Sequence, residues 1–421
     1  MRRPPLSKLN SLALCQPLLQ ALDQAGFVDA TAVQTQSIPP ALSGADLMVT
    51  APTGSGKTLA FLLPVLNRLL TVSPATTSIR ALILLPTREL AQQTRTRLEQ
   101  LTESIEINSA LIIGGQDFKV QQRALLRSPE IVIATPGRLL EQLENYPELL
   151  NDVELLVLDE ADRLLDLGFA DAVGNLSRRC ASGRQNLLFS ATVDKRELAA
   201  ISRDFNQPLS IAVESPRRQH RDIDQQLILT DDVKHKQKLV AALIAEQNGG
   251  RVMVFCNSRL QCEQLCHVLR YLKFDSRYIH GDIPQKIRSQ SLSQFRSGEM
   301  QVLVATDLAA RGLDIDGVDL VINFNVAHSG DEHQHRCGRT GRAGKRGLAI
   351  TLVDVNDWGA MSSIERYLSM RFERRTISDL KAHYRGPKKL KASGKAAGPK
   401  KKKVKTKSGS AKKTSDKKFK R

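Results

Sequence analysis

Short apolar runs, each closed by a polar or glycine-bearing turn, recur along the chain and alternate with longer stretches whose apolar residues fall at helical spacing. In the first half they are Leu47–Thr50, Ala81–Leu85, Leu111–Ile113, Ile131–Ala134, Leu155–Leu158 and Leu187–Phe189. A strand with one wet face alternates apolar and polar residues. A nearly unbroken apolar run points instead to burial on both faces, as in a parallel sheet covered by helices. The pattern resumes with Gln226–Thr230, Arg251–Phe255, Arg277–Ile279, Val302–Val304, Leu320–Asn323 and Gly347–Leu352. The expected fold class is therefore α/β, with two tandem domains, each a mostly parallel sheet covered by helices.

Punctuation places the boundaries. Phe205-Asn206-Gln207-Pro208 reads as a helix end, and the polar, proline-interrupted Ser215-Pro216-Arg217-Arg218-Gln219-His220-Arg221 as an exposed linker. The expected units are residues 1–216, residues 217–385 and a Lys-rich tail, 386–421, too poor in apolar residues to order itself. At 421 residues and 41% hydrophobic content, two cores of ordinary size are available.

Charge changes the picture once it is located. The formal net charge is +18, yet Gly386–Arg421 alone holds 16 Lys and Arg against the single acid Asp416, which leaves +3 for the remainder. Basicity belongs to the tail, where it suits sequence-blind attraction to phosphate, and Phe419 is its only aromatic. Pro399–Lys405 would also serve as a nuclear import signal in a eukaryote. The six cysteines lack the density of a disulfide framework, and Cys262 with Cys266 has no second pair at zinc spacing. No run approaches the roughly 18 apolar residues that span a bilayer, so a protein without a membrane partner is expected.

Two motifs carry chemistry. Ala51-Pro52-Thr53-Gly54-Ser55-Gly56-Lys57-Thr58 stands between an expected strand and an expected helix. Small residues there let backbone N–H groups face phosphates, Lys57 reaches the outer ones, and the Thr58 hydroxyl can hold Mg²⁺. Further on, Leu155–Leu158 delivers Asp159-Glu160-Ala161-Asp162 to the carboxyl end of a strand, the edge where doubly wound sheets bind ligands. Asp159 is suited to Mg²⁺ and Glu160 to positioning or deprotonating the water in γ-phosphoryl transfer.

From residue 6 to 375 the order of blocks resembles the DEAD-box RNA helicases. Gly26-Phe27, Thr31 and Gln34 are similar to the family's adenine-reading motif, which implies ATP; Leu9 stands where the family usually has an aromatic. Pro86-Thr87-Arg88-Glu89-Leu90, Gly114-Gly115 and Thr135-Pro136-Gly137-Arg138 resemble the first domain's RNA-binding blocks, and Ser190-Ala191-Thr192 the motif that couples nucleotide state to strand separation. In the second half Val254–Arg259, Gln285 with Arg288, Ala305-Thr306-Asp307 and Arg311-Gly312-Leu313-Asp314 match the later blocks. The resemblance implies that Arg288 and Thr306 touch RNA and that Asp314 contacts the ATP ribose. Within His335-Arg336-Cys337-Gly338-Arg339-Thr340-Gly341-Arg342, Arg339 and Arg342 are expected to stabilise the transferring phosphoryl group.

The resemblance thus implies two RecA-like domains closing on one ATP and one RNA strand, with RNA-stimulated hydrolysis and local, non-processive unwinding. Ribosome assembly or RNA turnover is the expected setting, with structured or ribosomal RNA, or a ribonucleoprotein precursor, as partner to a monomer. A bacterial cytoplasm is favoured, a nucleus or nucleolus if the source is eukaryotic. An ATP-gated RNA clamp and a DNA-directed helicase remain alternatives.

Overall fold

The computed structural model describes residues 8–52, 54–72, 78–191, 201–213, 223–310, 315, 317–341 and 346–387. The 217 boundary, Thr53, Thr192, Arg311–Asp314, Arg342 and the tail beyond residue 387 lie outside these described residues.

Among the described residues, fourteen strands form two seven-stranded sheets. The first holds β1 (Leu47–Thr50), β2 (Ala81–Leu84), β3 (Ser109–Ile112), β4 (Ile131–Ala134), β5 (Leu155–Leu158), β6 (Gln185–Ser190) and β7 (Leu209–Ala212), in the order β3-β4-β2-β5-β6-β1-β7. The second holds β8 (Ile223–Leu229), β9 (Val252–Cys256), β10 (Ser276–Ile279), β11 (Val302–Thr306), β12 (Leu320–Asn323), β13 (Gly347–Val353) and β14 (Glu373–Arg374), in the order β10-β11-β9-β12-β13-β8-β14. Every strand pairing within the two sheets is parallel. These are the two tandem, parallel-sheet α/β domains that the apolar runs predicted, and the RecA-like pair that the resemblance implied. The chain passes from one sheet to the other between Ala212 and Ile223.

Burial on both faces explains the unbroken apolar strands. Along β2, Leu82 and Leu84 pack into one hydrophobic layer and Ile83 into the layer on the opposite face. The helix Lys57–Thr71 closes the second of these layers with Phe61, Leu62, Leu63, Val65 and Leu66, all fully buried. Leu9 also packs there, and its N–H donates to the Val28 carbonyl at 2.9 Å, so apolar packing occupies the place of the family's aromatic. All six cysteines are free thiols, five of them buried. No described helix is long and apolar enough to cross a membrane.

The two strands that sequence reading missed are both edges. In β7 only Ile211 is buried, and β14 is two exposed residues.

The second domain is also held by a polar knot. Arg336, 1% exposed, donates to both carboxylate oxygens of Asp307 at 2.7 and 2.6 Å, to Glu332 at 3.1 Å, to Asn257 at 2.8 Å and to the Asn325 carbonyl at 2.7 Å. Burial pushes the Asp307 carboxyl up, whereas Glu332, despite burial, is held low by its hydrogen bond with Asp307 and the Arg336 charge. This arginine of the His335–Arg342 block is therefore structural. Removing it strands the buried Glu332 and the largely buried Asp307 carboxylates, and Arg336→Ala is expected to destabilise the second domain by about 3–5 kcal/mol. Urea unfolding followed through Trp358, the one tryptophan, reads this directly, and an unchanged midpoint would contradict it.

Candidate active site and nucleic-acid interface

The phosphate loop leaves β1, and the Ala51 N–H continues the sheet by donating to the Ser190 carbonyl at 3.0 Å. Gly56 has φ +95°, a left-handed conformation that suits glycine, and a Cβ there would lie 2.6 Å from the Gln34 amide nitrogen. Gly56 caps the helix Lys57–Thr71 without a side chain, which leaves that helix's first N–H groups to be satisfied by another acceptor. The Lys57 ammonium is buried, donating to the Ala51 carbonyl at 3.0 Å and lying 3.4 Å from Glu160 Oε1.

Gln34 is attached to this loop. Its Oε1 accepts from the Thr31 N–H at 2.9 Å, closing a capping box at the start of the helix Ala32–Leu42, and its Nε2 donates to the Gly56 carbonyl at 3.1 Å. One amide hydrogen and one lone pair remain for a base edge. The Arg97 guanidinium stands 5.1 Å from the centre of the Phe27 ring. Sequence reading did not anticipate that contact, because the two residues meet only in the tertiary structure.

Asp159 and Glu160 follow the fully buried β5. Asp159 Oδ1 accepts from the Glu160 N–H at 2.9 Å, and Glu160 itself takes φ +51°, ψ +49° before the helix Ala161–Asp166. For a residue with a Cβ this conformation carries a local cost, which its surroundings must hold in place. Burial, followed by the neighbouring Glu160 charge, pushes the Asp159 carboxyl well above the usual range. Burial also opposes ionisation of Glu160, but the charges of Arg163, Lys57 and the second domain's His335 outweigh it and hold this carboxyl low. The two carboxyls are thereby pushed apart, the arrangement expected where neighbouring acids have different tasks.

Arg339, 5% exposed, comes from the second domain and lines the same cleft as Phe27, Gln34, Lys57, Thr58, Asp159 and Glu160. The cleft has a volume of ≈ 1120 Å³.

The remaining blocks share the carboxyl edges of the strands. Pro86, Gly115 and Thr135 follow β2, β3 and β4, which are neighbours at one side of the first sheet; the phosphate loop, Asp159 and Ser190 follow or end β1, β5 and β6 at the other. Strand order thus gathers the phosphate loop and the carboxylates on one half of the edge and the blocks that resemble RNA-binding motifs on the other. Thr87 caps the helix Arg88–Thr102 by accepting from the Leu90 N–H at 3.3 Å. Arg88 lies close against the glycine pair: a Cβ on Gly114 would sit 2.8 Å, and one on Gly115 2.4 Å, from its guanidinium. Arg138 stands 5.6 Å from the Phe118 ring centre and donates to the Gln116 carbonyl at 3.4 Å. Thr306 ends β11. Arg288, expected to touch RNA, is mostly buried, 2.9 Å from the first domain's Glu89, and donates to the Ala309 carbonyl at 2.9 Å. Gln285 donates to the same glutamate at 3.0 Å.

A family model described as DEAD/DEAH box helicase matches residues 31–201, and one described as helicase conserved C-terminal domain matches 235–344. The SrmB ATP-dependent RNA helicase of Haemophilus influenzae is 37% identical over 91% of this chain and 88% of its own length. The chain belongs to the DEAD-box family of ATP-dependent RNA helicases. The rRNA helicase rrp3 of Aspergillus oryzae is 40% identical over 83% of this DEAD-box chain and 74% of its own length. The probable RNA helicase ddx27 of Dictyostelium discoideum is 38% identical over 89% of the chain, which spans only 48% of that relative. Among solved structures, Mss116p bound to single-stranded RNA and AMP-PNP superposes with a TM-score of 0.80 at 28% identity, covering 90% of this chain and 82% of that one.

The Arg88–Gly115 contact yields a test. Gly115→Ala should displace the Arg88 fork and weaken RNA binding by roughly tenfold or more, as loss of a charged hydrogen bond does, with ATP affinity unchanged. Fluorescence anisotropy with labelled RNA and with a labelled ATP analogue separates the two; parallel losses would exclude a specific effect on Arg88.

Proposed function

We propose that this chain couples RNA-stimulated ATP hydrolysis to local separation of short RNA duplexes. The observation that carries this reading is one cleft lined by Lys57, Asp159 and Glu160 from the first domain and Arg339 from the second. Lys57 and the loop N–H groups take the phosphates, while Gln34 and Phe27 border the base. Arg339 supports charge on the transferring phosphoryl group, and Glu160 orients the attacking water and receives its proton. Arg342 and Asp314 are assigned by motif position to the phosphoryl group and the ribose, and Thr192 with Ser190 to the coupling of nucleotide state to unwinding.

Asp159 and the Thr58 hydroxyl line this cleft and have the oxygen chemistry that Mg²⁺ prefers; a buried carboxyl pushed above its usual range is one that a cation would relieve. When bound, Mg²⁺ would neutralise phosphate charge.

Arg88, Gly115, Thr135 and Arg138, with Thr87 and Pro86 shaping the turns, form the first domain's share of an RNA backbone track, continued by Thr306 and, through the Glu89 clasp, Arg288. Contacts of this kind read the sugar-phosphate chain and not the bases. Closure on ATP and closure on RNA are then one movement, and each ligand strengthens the other. The Lys-rich tail acts as an electrostatic tether. Resemblance to SrmB and to an rRNA helicase favours ribosomal RNA or its precursor particles as target and a bacterial cytoplasm as location, with the protein acting as a monomer.

Glu160→Gln keeps shape and removes the base. It should retain ATP-dependent RNA binding and lose about 10²–10⁴ in RNA-saturated turnover; undiminished turnover would sink the assignment. Single-stranded RNA should also stimulate the wild-type ATPase more than DNA of equal length at equal salt. The reverse order would point to a DNA-directed motor.

A further inference from the structure

Arg163 stands one turn beyond the carboxylate pair, and no motif assigned it a task. Its side chain is 4% exposed, and its Nε, Nη1 and Nη2 atoms are buried without a hydrogen-bond partner among the described residues. A guanidinium in that condition calls for a reason, since buried donors are nearly always paired. Its contact is with Glu160: Nε lies 3.1 Å from Oε2, near enough for an ion pair although not aligned as a hydrogen bond. Lys57 stands 3.4 Å from the other oxygen, Oε1. The Glu160 carboxylate is thus held between two cations, one at each oxygen, and all three residues line the nucleotide cleft.

The two cations differ in what else competes for them. Lys57 belongs to the phosphate loop, so an incoming triphosphate draws its ammonium toward the outer phosphates. Arg163 sits on the helix Ala161–Asp166, which also presents Glu160 at its start, and moves with the carboxylate it holds. We propose that Arg163 is the positioning residue for Glu160: it keeps the carboxylate in place once ATP has taken Lys57 away. The proposal rests on the reading of Glu160 as the group that orients water. In its absence Lys57 has two anions to serve. Drawn to the phosphate, it leaves a buried carboxylate to be pushed aside by phosphate charge.

Kinetics of the full chain with saturating RNA test this. Arg163→Gln should lower kcat about a hundredfold with only a few-fold change in the KM for ATP, as expected when a positioned catalytic group is lost. Arg163→Lys, which restores the charge, should recover most of that loss. Because Arg163 acts through Glu160, adding R163Q to E160Q should slow turnover no further. RNA binding with a non-hydrolysable ATP analogue and the thermal midpoint should stay near those of the parent. An additive loss in the double variant, wild-type kcat in R163Q, or equal losses in kcat and analogue-dependent RNA binding would each overturn the proposal. If R163Q folds poorly, Arg163→Met keeps the packing of the stem and is read by the same criteria. Full turnover in E160Q alone would instead remove the reading of Glu160, and this proposal with it.

Discussion

Glu89 is buried in the first domain, and the groups that meet its carboxylate, the Gln285 amide and the Arg288 guanidinium, belong to the second. A carboxylate withdrawn from water needs such partners, so the closed arrangement is stable only while the two halves stay in register. When the halves part, water replaces the protein partners on both sides. The carboxylate is thus satisfied by protein in one state and by water in the other, so the clasp does not forbid opening and a ligand can bias the balance. Glu89 follows Arg88 in the chain, so the contact that joins the domains lies beside a residue of the proposed RNA track.

Parallel topology supplies the surface on which this works. In such sheets every strand ends at the same edge, so motifs far apart in sequence arrive side by side. The order β3-β4-β2-β5-β6-β1 then sorts them. Turns after β2, β3 and β4 carry the RNA-type blocks, and β1, β5 and β6 carry phosphate loop, carboxylates and Ser190. The boundary falls between β2 and β5, which are direct neighbours. The proposed nucleotide and RNA sites then share that edge without overlapping.

Five arginines show how surroundings assign roles to one residue type. Arg336 is consumed by carboxylates and amides of its own domain, and Arg288 bridges to the other. Arg88 lies on two glycines that leave it room. Arg339 faces the cleft and touches its own domain through a contact with the His335 carbonyl at 3.3 Å. Arg163 is buried against Glu160 with its donors unfilled among the described residues. Charge is the same in all five; what differs is how much of it the protein has already neutralised.

The sequence by itself determined the two sheets and the local chemistry. Strands such as β2, β4, β5 and β12 were legible because burial on both faces leaves an apolar run with no alternation, and the phosphate loop and Asp159-Glu160 because their function depends on adjacent residues. Two of the four edge strands were not legible: β7 and β14 exist because a neighbouring strand offers hydrogen bonds, with little apolar signal of their own. Nor was the pairing of Arg288 with Glu89, the placement of Arg97 on Phe27, or the burial of Arg163 behind Glu160. Spacing along a chain fixes which residues share a strand end, whereas these contacts depend on side-chain reach, on packing depth and on how one domain closes against another, and only the tertiary structure decides those.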